Sequence, residues 1–172
     1  RLGKLTEGVQ KCAVNVAGKP FVAHIIEMFL IYQPRKIIIA AGYRSDDIEC
    51  IVHSFSDYEI SIEVEKEPQG TGGALLSVVE RIESNVLAVV NGDTFLDFDL
   101  GKILLPKFSA DVMVMCGIPE VQSTSGSIHV QNSLIYKHFD AESEILEGKV
   151  FSGLALFKLE FLKSISPKVC SL

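Results

Sequence analysis

Long apolar runs are missing from this sequence. None approaches the roughly eighteen residues that a membrane-spanning helix requires, so no membrane partner is expected. Clusters of lysine and arginine are missing too, and the formal net charge is −6. That balance argues against duplex nucleic acid, whose phosphates are held by a positive face. A single lysine or arginine can still hold a small anionic ligand. The four cysteines, Cys12, Cys50, Cys116 and Cys170, are widely spaced and form no C-x-x-C pair, which predicts reduced, mostly buried thiols in a cytoplasmic protein. His24 and His53, in helix-like stretches, read as structural or solvent-facing. There is no internal repeat, low-complexity linker or second-domain boundary. What is present is 172 residues, 48% of them hydrophobic, with a mean hydropathy of +0.31. These values predict one well-buried globular domain spanning 1–172.

Hydrophobic periodicity orders the elements. Residues 1–16 are polar and irregular, a surface loop. Residues 19–33 carry Phe21, Val22, Ile25, Ile26, Phe29 and Leu30 at core-facing helical spacing, with Pro20 in the first turn and Pro34 ending the helix. Residues 36–41 form a fully buried strand closed by Gly42. Ser45 or Asp46 can cap the next helix, whose stripe is Ile48, Ile51, Val52 and Phe55. Residues 59–65 alternate apolar and polar side chains, a half-exposed strand near a sheet edge. A Gly-rich segment, Gln69-Gly70-Thr71-Gly72-Gly73, opens a helix carrying Ala74, Leu75, Val78, Val79 and Ile82. Residues 86–90 form a strand expected to be buried on both faces. Residues 95–105 read as a loop and short helix. Strands follow at 111–118, 126–130, 134–139 and 149–157, then a short helix at 159–165. The order is βαβ-rich first and strand-rich later. It predicts an α/β fold: a three-layer, mostly parallel Rossmann-like sheet with helices on both faces and a strand-rich C-terminal part.

The chemistry gathers at strand ends. In open α/β sheets ligands bind beyond the carboxyl ends of the strands, and Asn91-Gly92-Asp93-Thr94 leaves the 86–90 strand at that point. A carboxylate there can hold a divalent cation, although the same string also suits a simple turn. Three loops are expected to meet at this edge: 1–11, 69–73 and 91–97. The glycines of the second let backbone N–H groups approach a flat or anionic ligand. It is neither a G-x-G-x-x-G fingerprint nor a P-loop, whose lysine it lacks.

Taken together, these strings resemble the sugar-1-phosphate nucleotidylyltransferases, the sugar-nucleotide pyrophosphorylases. That family opens with a strand, then G-G-x-G-T-R-L, then P-K-P-x-x-P-V-x-x-K-P. Arg1-Leu2 matches the end of the first motif, and Gln10-Lys11-Cys12-Ala13-Val14-Asn15-Val16-Ala17-Gly18-Lys19-Pro20 matches the second, with both lysines kept. Glu67-Pro68-Gln69-Gly70-Thr71-Gly72-Gly73-Ala74-Leu75 resembles the base-binding loop and Asn91-Gly92-Asp93-Thr94 the metal-binding turn. The run through residues 95–100 is most similar to the branch acting on heptose 1-phosphate or mannose 1-phosphate, usually with GTP.

The resemblance implies roles. Arg1 and Lys11 would neutralise phosphate charge as the sugar phosphate oxygen attacks the nucleotide α-phosphorus. Gln69, Gly70, Thr71 and Gly72 would contact the nucleotide, and Asp93 would hold Mg²⁺. The sugar phosphate would meet Asn91, Gly126, Asp140, Ser152 and Gly153. The partners implied are an NTP, GTP by branch, and a sugar 1-phosphate, with an NDP-sugar for cell-surface polysaccharide and pyrophosphate as products.

Departures from the pattern are specific. Gln10, Cys12 and Asn15 replace prolines, which leaves the Lys11 loop less rigid. Ser125-Gly126, Phe139-Asp140-Ala141 and Phe151-Ser152-Gly153 keep little of the family's sugar-site strings. The family's first strand, between strands 36–41 and 86–90 of one sheet, has no counterpart here. Neither does its Gly-rich loop or its second metal-binding aspartate. A fragment or degenerate member, weakly active alone, is therefore expected. The alternative is a catalytically inactive regulatory or assembly module. A glycosyltransferase-like D-x-D built from Asp97 and Asp99 ranks lower, because that run more simply begins a helix.

Overall fold

The computed structural model describes residues 8–42, 44–65, 67, 69–97, 99, 101, 111–117, 127–131, 134–139 and 149–165. Two short strands, β1 (Asn15–Val16) and β2 (Lys19–Pro20), form a tight antiparallel pair whose turn places Ala17 and Gly18 at positive φ. Helix α1 (Phe21–Leu30) follows directly, with Pro20 at its N-cap rather than within its first turn. It buries Val22, Ala23, Ile25 and Ile26, the spacing of one helical face. The helix ends at Leu30, Gln33 turns into the left-handed region at φ 50°, and Pro34 follows.

Strands β3 (Ile37–Ala41) and β4 (Ile60–Val64) are parallel and in register from Ile37 opposite Ile60 to Ala41 opposite Val64. The crossover between them carries α2 (Ser45–Val52). Neither Ser45 nor Asp46 caps this helix. Its N-cap is Arg44, in the left-handed conformation at φ 57° and ψ 47°, and no side chain caps it.

Alternation along β3 divides its side chains between two cores. Ile37, Ile39 and Ala41 pack with Val22, Ile26 and Ile48, under α1 and α2. Ile38 belongs to the second core, with Leu75 and Val78 of α3 (Gly70–Val78). The latter core continues to Leu87 and Val89 of β5 (Val86–Val90), Val112 and Val114 of β6 (Val112–Gly117), and Ala155 and Phe157 of β9 (Val150–Lys158). Leu162 of α4 (Leu159–Ser164) closes it. Each such aliphatic side chain, fully buried, contributes about 1.5 to 3 kcal/mol.

Two expectations need correction. Among the described residues, strands β3 and β5 do not share a hydrogen-bonded sheet; β5 belongs to a sheet ordered β5–β9–β6. Nor is either strand fully buried, since Val86 and Ala88 of β5 are exposed, as are Ala40 of β3 and Lys36 before it. An apolar run does not distinguish one covered face from two. Here the core lies on the Leu87 and Val89 side, and β9 is the only strand paired with β5 among the described residues. The doubly buried strand is β9, the centre of its sheet, where residues 153–157 are all buried. Its pairings with β5 and β6 are antiparallel, as is that of β7 (Ser127–Gln131) with β8 (Leu134–Phe139). Among the described residues β3–β4 is therefore the one parallel pair. The fold is α/β with a strand-rich C-terminal part, and less parallel than its sequence suggests.

Candidate active site

The site begins where β5 ends. Antiparallel pairing sets Val90 opposite Leu154, so the next residue, Asn91, arrives beside Gly153, and its N–H donates to the Gly153 carbonyl at 2.8 Å. Gly153 is buried at φ +91°, where an L side chain is strained. A Cβ there would stand 3.2 Å from Asn91 Nδ2 and from both Cβ and Oγ1 of Thr94. Two of the expected sugar-phosphate residues, Asn91 and Gly153, are thus joined across two strands, with Ser152 next to them on β9. Asp93 follows in the exposed turn.

A second wall comes from the segment before β1. Residues Lys11–Ala13 form one 3₁₀ turn, with Lys11 exposed. Its neighbour Cys12 lies against the Asn91–Asp93 turn: a Cβ on Gly92 would stand 3.9 Å from Cys12 Cβ. Burial pushes the Cys12 thiol above its ordinary pKa, and the negative charges of Asp93 and Asp47 push it further, against a backbone hydrogen bond that acts the other way. The 3₁₀ turn is tied to α2, since the Gln10 N–H donates to Asp47 Oδ2 at 3.0 Å. The Arg44 guanidinium donates to both Asp47 oxygens, at 2.9 and 3.0 Å. Those bonds hold the Asp47 carboxyl below its usual pKa, the Arg44 bond having the larger effect.

The Gly-rich segment opens α3 as expected. Gln69, Gly70 and Thr71 are exposed, Gly72 and Gly73 are buried, and Gly70 adopts φ 70°. Gly73 passes so close beneath Gln69 that an added Cβ would lie 2.5 Å from Gln69 Cβ. Among the described residues no hydrogen bond or ion pair joins 69–73 to 91–97. At the carboxyl end of β4, Glu65 donates its N–H to the Ala41 carbonyl at 2.9 Å. Its Oε2 would be 3.5 Å from a Cβ on Gly42, and its Oε1 is buried with no hydrogen-bond partner among the described residues.

Of the expected site residues, Asn91 and Gly153 are in direct contact, Asp93 follows in the same turn as Asn91, Ser152 precedes Gly153, and Lys11 is the chain neighbour of Cys12, which lies against Gly92. Arg1, Gly126 and Asp140 lie outside the described residues. Asp99 accepts the Gly101 N–H at 3.0 Å and the Tyr32 hydroxyl at 3.5 Å. His24 and His53 bond the backbone carbonyls of Val16 and Glu49, at 2.7 and 2.9 Å. Asp47 and Glu65 escape sequence reading. Asp47 is 37 residues from Gln10 and looks like an ordinary acidic first-turn residue. Glu65 had one signal, its place at the end of a strand just before a Gly-rich segment.

Among the described residues no three His, Cys, Asp or Glu side chains gather as a metal cage. Mg²⁺ needs none when one or two carboxylates and substrate phosphates hold it, and the exposed Asp93 carboxylate at a strand end fits that mode. An exposed ammonium and an exposed carboxylate on touching turns suit a ligand that pairs phosphate with a divalent cation.

Comparison with known proteins agrees with this geometry. The family model described as Nucleotidyl transferase matches residues 1–133. The chain is 34% identical over 106 residues to the D-glycero-alpha-D-manno-heptose 1-phosphate guanylyltransferase of Campylobacter jejuni, an alignment covering 61% of this chain and 48% of the relative. It is 28% identical over 183 residues to the mannose-1-phosphate guanyltransferase of Gibberella zeae, covering 100% of this chain and 50% of the relative. The chain thus spans about half the length of both relatives. The crystal structure of HddC from Yersinia pseudotuberculosis complexed with GMP-PN shares the fold, with a TM-score of 0.80 at 24% identity, covering 99% of this chain and 77% of that one. Solved nucleotidyltransferases of this kind have a Rossmann-like α/β fold.

Proposed function

Because this chain belongs to the nucleotidyl transferase family, we propose that it provides the nucleotide-handling part of a sugar-1-phosphate guanylyltransferase, with GTP and a heptose or mannose 1-phosphate as substrates. One observation supports the proposal: the Asn91 N–H bonds the Gly153 carbonyl and Gly92 lies against Cys12, so the chain segments that carry Asp93, Gly153 and Lys11 meet at the carboxyl end of β5. The names of the two relatives and the nucleotide held by the solved neighbour support the choice of substrates.

In this reading a phosphate oxygen of the sugar 1-phosphate forms a bond to the α-phosphorus of the nucleotide. The bond from that phosphorus to the oxygen bridging the β-phosphate breaks, and pyrophosphate leaves with the electron pair. No protein nucleophile is required. Lys11, with Arg1, neutralises charge that builds on the phosphates. Asp93 holds a divalent cation, Mg²⁺ by its hardness, which when bound screens the phosphate oxygens and helps align them. The resemblance gives the sugar-phosphate side to Asn91, Ser152 and Gly153, and to Gly126 and Asp140 outside the described residues, and the nucleotide side to Gln69, Gly70, Thr71 and Gly72. Glu65, whose Oε1 has no hydrogen-bond partner among the described residues, supports guanine in particular, because N1–H and N2–H of that base form a donor pair matched to a carboxylate. The free thiols Cys12 and Cys50 suit the reducing cytoplasm.

The test is product formation by the full-length protein, with GTP, ITP, UTP, CTP and ATP each offered with mannose 1-phosphate and a heptose 1-phosphate. GTP is expected to give pyrophosphate and a GDP-sugar. ITP, which lacks the N2 amine, is expected to be weaker by about tenfold or more, the worth of one hydrogen bond to a charged group. Failure to form product with any of the five nucleotides would overturn the proposal, and equal rates with GTP and ITP would remove Glu65 from it.

A further inference from the structure

Gln10 stands where the resembled motif carries a proline, yet its backbone sits at φ −64° and ψ 141°, close to the φ of about −65° that a proline ring imposes. Lacking the ring, Gln10 has an N–H, and that N–H is spent on Asp47 Oδ2 at 3.0 Å. The Gln10 side chain adds nothing to this anchorage, since its Oε1 is buried without a hydrogen-bond partner among the described residues. The far end of the tether is itself clamped. Arg44, in a left-handed backbone conformation at the start of α2, donates Nε and a terminal guanidinium nitrogen to the two Asp47 oxygens. The carboxylate is therefore fixed before it meets the loop.

We infer that Asp47 is a positioning residue: through the Gln10 N–H it holds the Lys11 turn against the Asn91–Asp93 turn, replacing with a charged tether the stiffness that proline would supply. The inference rests on the role proposed above for Lys11. The packing of Cys12 supports it, since a Cβ on Gly92 would stand 3.9 Å from Cys12 Cβ, so the turn that Asp47 tethers lies directly against the Asn91–Asp93 turn. Without the tether the 3₁₀ turn keeps its sequence but loses its fixed distance from Asp93. A misplacement of about 1 Å in a charge-positioning group can cost up to a hundredfold in rate.

Three variants of the full-length protein test this: Asp47→Ala, Asp47→Asn and the double variant Gln10→Pro with Asp47→Ala. Asp47→Ala is expected to speed amide exchange at residues 10–13 while α2 stays protected, and to lower kcat by about ten- to a hundredfold. Asp47→Asn keeps an acceptor for the Gln10 N–H and is expected to stay within about fivefold of the parent. The double variant restores the backbone restraint by a ring instead of a bond and is expected to recover most of the lost rate. A merely structural aspartate would not be rescued by proline at position 10. Unchanged exchange and unchanged kcat in Asp47→Ala would overturn the inference, as would an Asp47→Asn loss as deep as that of alanine. Should Asp47→Ala not fold, the double variant decides by the same two readouts. If the parent makes no product with any nucleotide, the proposed function fails, while the exchange arm still decides the tether.

Discussion

Gly153 and Asp47 each fix one wall of the candidate site, the first by leaving no room and the second by charge. At Gly153 the β9 backbone lies so close to Asn91 and Thr94 that even a methyl group would press on three of their atoms at 3.2 Å. At Asp47 a carboxylate reaches across to a loop residue 37 positions away and is gripped from behind by Arg44. The steric wall has no ionisable part and is indifferent to pH and salt. The charged wall is conditional, because exposed charges are screened and a protonated carboxyl is a poorer acceptor. The lesson is that one site uses rigid packing where strand meets strand, and an adjustable tether where a loop without prolines must be held.

Replacing Gly153 with alanine probes the steric wall and has the largest expected effect. The substitution combines an unfavourable positive φ with overpacking, for a cost of about 2 to 4 kcal/mol. Thermal unfolding should show it, and a loss under about 0.5 kcal/mol would mean that the β5–β9 junction is looser than the geometry states.

The charged wall predicts smaller, pH-linked effects. The folded-state pKa of Asp47 is depressed, so its contribution is present above its unfolded pKa and fades as pH falls through the lower folded value. The raised pKa of Cys12 works in the opposite sense for reactivity, keeping the thiol protonated further up the pH scale. Alkylation of Cys12 should therefore be slow at neutral pH and rise only above the ordinary thiol range. Asp93→Asn should speed it modestly by removing one of the two negative charges. Alkylation that ignores Asp93 would separate the Lys11 turn from the Asn91–Asp93 turn and break the comparison between the two walls.

Much of this was legible in the sequence, for identifiable reasons. The apolar stripe within residues 19–33 and the runs at 36–41 and 86–90 are local patterns, and they became the helix Phe21–Leu30 and the strands Ile37–Ala41 and Val86–Val90. The family was legible because its motifs are short strings around strand ends. Partnership was not. Residues 149–157 read as a strand, but nothing local says that they lie between β5 and β6, or that they, and not 86–90, are covered on both faces. Asp47 and Glu65 were missed because what marks them arises only after folding, a donor brought from 37 residues away in one case and, in the other, a buried oxygen with no hydrogen-bond partner among the described residues.

The central claim is that the turn after β5 is where the reacting phosphates are held, and Asp93 tests it most directly. The measurement is kcat for pyrophosphate release from GTP and a sugar 1-phosphate with Mg²⁺, in full-length Asp93→Asn and Asp97→Asn, together with the unfolding free energy of each. The account predicts that Asp93→Asn lowers kcat by about two to three orders of magnitude while stability stays within about 1 kcal/mol, as for an exposed position. Asp97→Asn should lose far less activity. Equally mild losses in the two variants, or unfolding of Asp93→Asn, would make Asp93 a turn residue and contradict the account.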